Sequence, residues 1–67
     1  MSREGKFLVF CMECYRAEKG LTGREVSALF AEHGVYDYVV RYFDSLHTTG
    51  VAYIVADIDA FIRSHAA

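Results

Sequence analysis

No proline and no tryptophan occur among the 67 residues of this chain, and no stretch of it is of low complexity. Without Pro-, Ser- or Gly-rich segments there is nothing to divide it into parts, so residues 1–67 read as one small domain. Basic residues are few and scattered: Arg3, Lys6, Arg16, Lys19, Arg24, Arg41 and Arg63 stand singly, and the formal net charge is −2. No cluster of them marks a face that tracks phosphates, which disfavours nucleic acid, and no polybasic segment marks a membrane surface. Long apolar runs are missing too. Phe7 to Met12 is six residues, against the roughly 20 that a membrane-spanning helix requires. Glu13 and Arg16 follow it closely and no small-residue cleavage site is visible, so a signal peptide is not expected and the expectation is a cytoplasmic protein.

Cysteine is sparse: Cys11 and Cys14 form a lone Cys-x-x-Cys. On a helix the two share a face. A zinc site needs two further ligands, and His33, His47 and His65 are distant and isolated. A thioredoxin-like motif needs a βαβ context that this length does not supply. The expectation is two small buried apolar side chains, with no metal and no cofactor.

Apolar side chains are plentiful. They make up 54% of the chain, with five Phe and five Tyr. A domain this small hides only about 60% of the surface its unfolded form exposes. An apolar core is therefore the expected source of stability. The surplus points to surface left for a partner, for which a symmetric homodimer is the commonest solution.

Glycines cut the chain into four segments. In the first, about 3–19, Phe7, Phe10, Cys11, Cys14 and Tyr15 recur at three and four residues, and Leu8, Val9 and Met12 widen the stripe. It predicts a central helix covered on more than one side, with a buried strand over Phe7–Met12 as the rival reading. In the second, 22–33, Thr22 and Glu25 form a capping box, with Leu21 and Val26 as its hydrophobic staple. Val26, Leu29, Phe30 and His33 share one face, and Gly34 is the left-handed stop. The third, 35–47, carries Tyr36, Val39, Val40, Phe43, Leu46 and His47 in the same rhythm. The fourth, 57–65, has Asp57 in the position of an N-cap and Asp59 in the first turn. Between them lies a tight corner at 47–56, with Gly50 at positive φ and residues 51–55 either extended or helical. The expected fold is an all-α compact bundle of four helices.

Candidate chemistry is thin. Asp44 and His47 are three apart on one helix face, but no nucleophile accompanies them, and a His near a helix C-terminus commonly caps it. Asp57 and Asp59 resemble cap and first-turn residues more than an acid–base pair. Gly20-Leu-Thr-Gly23 lacks the Lys-Ser/Thr of a phosphate loop. No catalytic residue is expected, and the chain does not read as an enzyme. Residues 22–43 admit a helix-turn-helix reading, a DNA-binding regulator with 36–46 as recognition helix. That helix would offer one Arg against two Asp, the wrong balance for DNA. The tyrosines are the stronger signal: Tyr36, Tyr38, Tyr42 and Tyr53 crowd a short stretch, and Tyr is enriched at the energetic centres of interfaces. With His47 they are the expected protein-contact residues, against the equal alternative that the tyrosines only rim the core with their hydroxyls in water.

The order Phe-Leu-Val-Phe-Cys…Tyr, Leu-Thr-Gly-Arg-Glu-Val…Leu-Phe…His-Gly-Val, Tyr-Phe-Asp-Ser-Leu-His-Thr-Thr-Gly and Tyr-Ile-Val-Ala-Asp-Ile-Asp-Ala-Phe-Ile resembles a family of small bacterial proteins known only as a domain of unknown function. Members are often encoded beside a larger protein resembling ADP-ribosyltransferases. The resemblance covers nearly the whole chain and is most specific from Leu46 to Asp59. Cys14 falls outside the family's pattern. The resemblance implies a non-enzymatic accessory protein, antitoxin-like or otherwise a partner of the transferase-like neighbour, and implies no catalytic residue.

Overall fold

The computed structural model describes residues 2–64. They form an all-α bundle of five helices: α1 Arg3–Lys19, α2 Gly23–Glu32, α3 Val35–Arg41, α4 Phe43–Leu46 and α5 Val51–Ser64. Helix α1 is central, packing against α2, α3 and α5. Ser2 caps it by accepting the Gly5 N–H at 3.0 Å, a cap not anticipated from the sequence. It ends at Gly20, whose φ of 66° lets its N–H turn back to the Arg16 carbonyl. Cys11 and Tyr15 are buried as expected, but Phe10 of the same stripe is exposed.

Helix α2 forms as its sequence dictates. The Thr22 hydroxyl accepts the Glu25 N–H at 3.1 Å and the Glu25 carboxylate accepts the Thr22 N–H at 2.8 Å. Val26 and Phe30 are buried, and Leu21 packs against the same core. Gly34 adopts φ 69° and starts α3 immediately.

Two expectations need correction. The single helix 35–47 is broken at Tyr42, where φ is −105° and ψ 23°. The break falls after Val39-Val40, where β-branching lowers helix propensity. The Tyr42 carbonyl accepts from both Ser45 and Leu46 to start α4, and Phe43 then lies edge-on to Phe7 of α1, centroids 5.4 Å apart.

The last helix begins at Val51 rather than 57. The corner shrinks to 47–50, and residues 51–55 are helical. Ile54, Val55 and Ile58 are buried, so the apolar stripe already runs through the stretch assigned to the corner. Asp57 is therefore an interior helix residue and caps nothing. Gly50 is not left-handed: among the described residues only Gly20 and Gly34 have positive φ. Gly50 instead offers its carbonyl to the Ile54 N–H, 3.0 Å away, in the first turn of α5. His65, the end of the expected helix, lies outside the described residues.

One core cluster joins Cys11, Tyr15, Val26, Phe30, Val35, Val39, Ile54, Val55 and Ile58. No helix of the described residues is long and apolar enough to cross a membrane.

Candidate functional site

Ile58 is fully buried on α5, and Asp57 and Asp59 flank it. At 100° per residue they diverge to opposite sides of the helix. Each meets a tyrosine from a neighbouring helix.

On the α1 side, the Tyr15 hydroxyl donates to Asp59 Oδ1 at 2.8 Å and the Lys19 ammonium donates to Oδ2 at 2.6 Å. The Lys19 Nζ also stands 5.8 Å from the Tyr15 ring centroid. The bond from Lys19, then that from Tyr15, holds the Asp59 carboxyl below its ordinary range. Burial, and then the bond to Asp59, pushes the Tyr15 phenol up to about 12.

On the α3 side, the Tyr38 hydroxyl donates to Asp57 Oδ2. The Tyr38 ring stacks on Phe61 at 4.1 Å and lies 5.1 Å from Tyr42 at a 51° tilt. Burial, and then the bond to Asp57, raises the Tyr38 phenol to about 12. Asp57 has no ion-pair partner among the described residues. It lies in a groove of about 200 Å³ lined by Tyr38, Tyr42, Ser45, Leu46, Thr49 and Tyr53. Behind the Tyr38–Tyr42 wall a second groove, about 360 Å³, is lined also by Gly34, Asp37, Arg41 and Phe61. Arg41 there stands 3.8 Å from Asp37.

The expected contact residues separate into three places. Tyr38, Tyr42 and Tyr53 converge on the groove. Tyr36 turns the other way: its hydroxyl donates to the Ser27 carbonyl at 3.2 Å and its ring meets Phe30 edge-on, which ties α3 to α2. His47 stacks on Phe43 at 4.5 Å and its Nδ1–H donates to the Phe43 carbonyl at 2.7 Å. It caps its own short helix, as the sequence suggested, and does not turn to Asp44.

Sequence reasoning missed Asp57 as a groove residue. Tyr38 and Tyr42 are four apart on α3 and its end, and Tyr53 and Asp57 are four apart on α5, so each pair shares a helix face. Reading α5 from residue 51 exposes the second pair. Also missed was an aromatic ladder along the start of α1, where Phe7 stacks with exposed Phe10 and Arg3 lies over Phe43.

The cysteines are both free; Cys11 is buried as expected, but Cys14 is only half-buried. Burial, with Cys14 adding to it, pushes the Cys11 thiol up to about 12, and burial followed by Glu13 raises Cys14. Metal ligation and redox attack need the thiolate, which these shifts disfavour. No three His, Cys, Asp or Glu among the described residues stand together to hold a metal.

A family model described as protein of unknown function (DUF3791) matches residues 6–65, and the chain belongs to that family. No curated protein and no solved structure matches it.

Proposed function

We propose that the protein is a non-enzymatic binding module that engages another protein through the surface around Tyr42 and Tyr53. The observation that carries this reading is their exposure, 46% and 63%, side by side on one groove. Tyrosine supplies large contact area with few rotamers to freeze and a hydroxyl for the wet rim. Phe10, Val9, Val40 and Val51 add exposed apolar area, which supports self-association as a homodimer. A catalytic role draws little support. The groups with displaced pKa values are explained by burial and by bonds that tie helices together, rather than by convergence on one cavity. The partner proposed is the transferase-like neighbour that the family resemblance implies, bound antitoxin-fashion in the cytoplasm.

The rival, a helix-turn-helix DNA reader, draws less support. In α3, Tyr36 turns to α2, Tyr38 turns to α5, and Arg41 pairs with Asp37. That leaves a recognition helix few groups for base edges.

The test is copurification of the tagged chain with the protein encoded beside it, in wild type and in Tyr42→Ala/Tyr53→Ala. Both residues are exposed, so the variant keeps the fold. Capture by wild type and loss in the double variant is expected. Duplex DNA retained at physiological salt would promote the rival instead, and a concentration-independent monomer mass in light scattering would remove the homodimer.

A further inference from the structure

We infer that the groove between α3, α4 and α5 is a receptor for one cationic side chain, an arginine or lysine presented by a partner protein. The inference rests on the protein-binding reading above and supplies its chemistry.

The argument comes from the two sides of α5. On the α1 side the chain builds a complete site from a tyrosine, an aspartate and a lysine. Lys19 Nζ sits 2.6 Å from Asp59 and 5.8 Å from the Tyr15 centroid, while Tyr15 donates to the other carboxylate oxygen. On the α3 side the tyrosine and the aspartate recur in the same relation, Tyr38 donating to Asp57. The cation does not recur, because no Lys or Arg among the described residues pairs with Asp57. A carboxylate has about four acceptor positions, and the Tyr38 hydroxyl occupies one.

The walls fit the same ligand. Tyr42 and Tyr53 join Tyr38 around the groove, and both are exposed. Aromatic faces attract a cation through the ring quadrupole, the more so as it is desolvated. Among the described residues the only charged one lining the groove is Asp57, so an anion would meet a carboxylate without compensation. The volume, about 200 Å³, is below the roughly 300 Å³ at which drug-sized ligand sites begin. One guanidinium or ammonium head with part of its stem suits it. The Asp37–Arg41 pair lines the neighbouring groove behind Tyr38 and Tyr42.

The probes are N-acetyl-arginine amide and N-acetyl-lysine amide, with N-acetyl-citrulline amide as the uncharged near-isostere of arginine. Binding is read by nuclear magnetic resonance titration of the isotope-labelled full chain. A cationic probe is expected to shift resonances of Tyr42, Tyr53 and Asp57 saturably, with a Kd on the order of 10 mM. Citrulline is expected to bind at least about tenfold more weakly, the scale of a partly desolvated cation–π contact with an ion pair. Asp57→Asn should weaken the cation by a similar factor, and Asp59→Asn should leave it unchanged. Should Asp57→Asn disturb the fold, Tyr53→Leu, at an exposed position, removes one wall and should also weaken binding. Equal affinity for citrulline, no saturable shift from either cation, or shifts centred elsewhere would overturn the inference. Capture of a partner through Tyr42 and Tyr53 without any cation binding would overturn it too, while leaving the protein-binding reading in place. Cation binding with no partner captured would keep the groove as a cation receptor but overturn its presentation by a partner, together with the protein-binding reading.

Discussion

The two aspartates of α5 have the same tyrosine bond and opposite surroundings. Asp59 is closed in charge, though it and Lys19 stay partly exposed: Tyr15 is 4% exposed, Lys19 neutralises the carboxylate, and Phe30 lies edge-on to Tyr15 at 5.7 Å. Asp57 is open: its tyrosine is only half-buried, no Lys or Arg among the described residues pairs with it, and Tyr42 and Tyr53 stand in solvent beside it. The closed side is what a structural joint looks like when all its groups come from one chain. The open side has the same tyrosine–aspartate bond without a charge partner among the described residues. Charge pairing and the burial of the bonded tyrosine, not residue type, separate the joint from the candidate site.

The strongest way to break this contrast is to hollow out the closed side. Phe30 is fully buried, and Phe30→Ala should remove about 3–5 kcal/mol in denaturant unfolding. For so small a domain that is most of its stability. Little loss there would mean that the closed side is not the anchor.

Next is the joint that places α3, and with it Tyr38 and Tyr42. Gly34 is left-handed with open space where a Cβ would stand, so its penalty is purely backbone. Gly34→Val should lose at least about 1–2 kcal/mol in thermal or denaturant melts. Gly50→Val should lose less, because Gly50 lacks positive φ. Equal losses would contradict the different backbones of these two glycines.

The paired bonds offer a finer comparison. Tyr15→Phe removes a donor from a closed network and should lose about 1–2 kcal/mol. Tyr38→Phe should lose less, because Asp57 can turn to water. Both phenols are raised in the fold to about 12, above an unfolded value of about 10. Their contribution is therefore complete below about pH 10 and lost as pH rises through about 12. Ultraviolet titration of each variant should show one fewer phenol ionising at that upper end.

The smallest effect makes Asp59 resemble Asp57. Lys19→Met removes its cation, and because the pair is partly exposed the loss at neutral pH should be no more than about 1 kcal/mol. Its signature lies in acid. The folded Asp59 carboxyl is held below its unfolded value, so its contribution is full above about pH 4 and falls away as pH drops through the folded value. In Lys19→Met the acid-induced loss of stability over that range should be shallower. An unchanged acid limb would show that Lys19 does not set the Asp59 carboxyl.

Much of the architecture was legible because helix signals are local. The Thr22–Glu25 box, the Gly34 stop and the 3–4 rhythm of α1 and α2 each lie within a few residues of what they determine. The misreadings came from residues whose meaning depends on distant neighbours. Asp57 has the type and flanks of an N-cap, and only the burial of Ile54 and Val55 against the core extends the helix ahead of it. The break at Tyr42 is likewise invisible to periodicity, since Phe43 and Leu46 keep the rhythm across it.

The sequence by itself determined an all-α bundle, the ends of its first two helices and the crowding of tyrosines after Gly34, because backbone capping and side-chain period act over one turn. Only the tertiary structure decided which tyrosines became joints and which stayed in water. Tyr36 closes on Ser27, Tyr38 on Asp57, and Tyr42 and Tyr53 remain exposed. That division follows from how α3 and α5 pack around α1, and the packing is set by burying the shared core rather than by any pattern within a single helix.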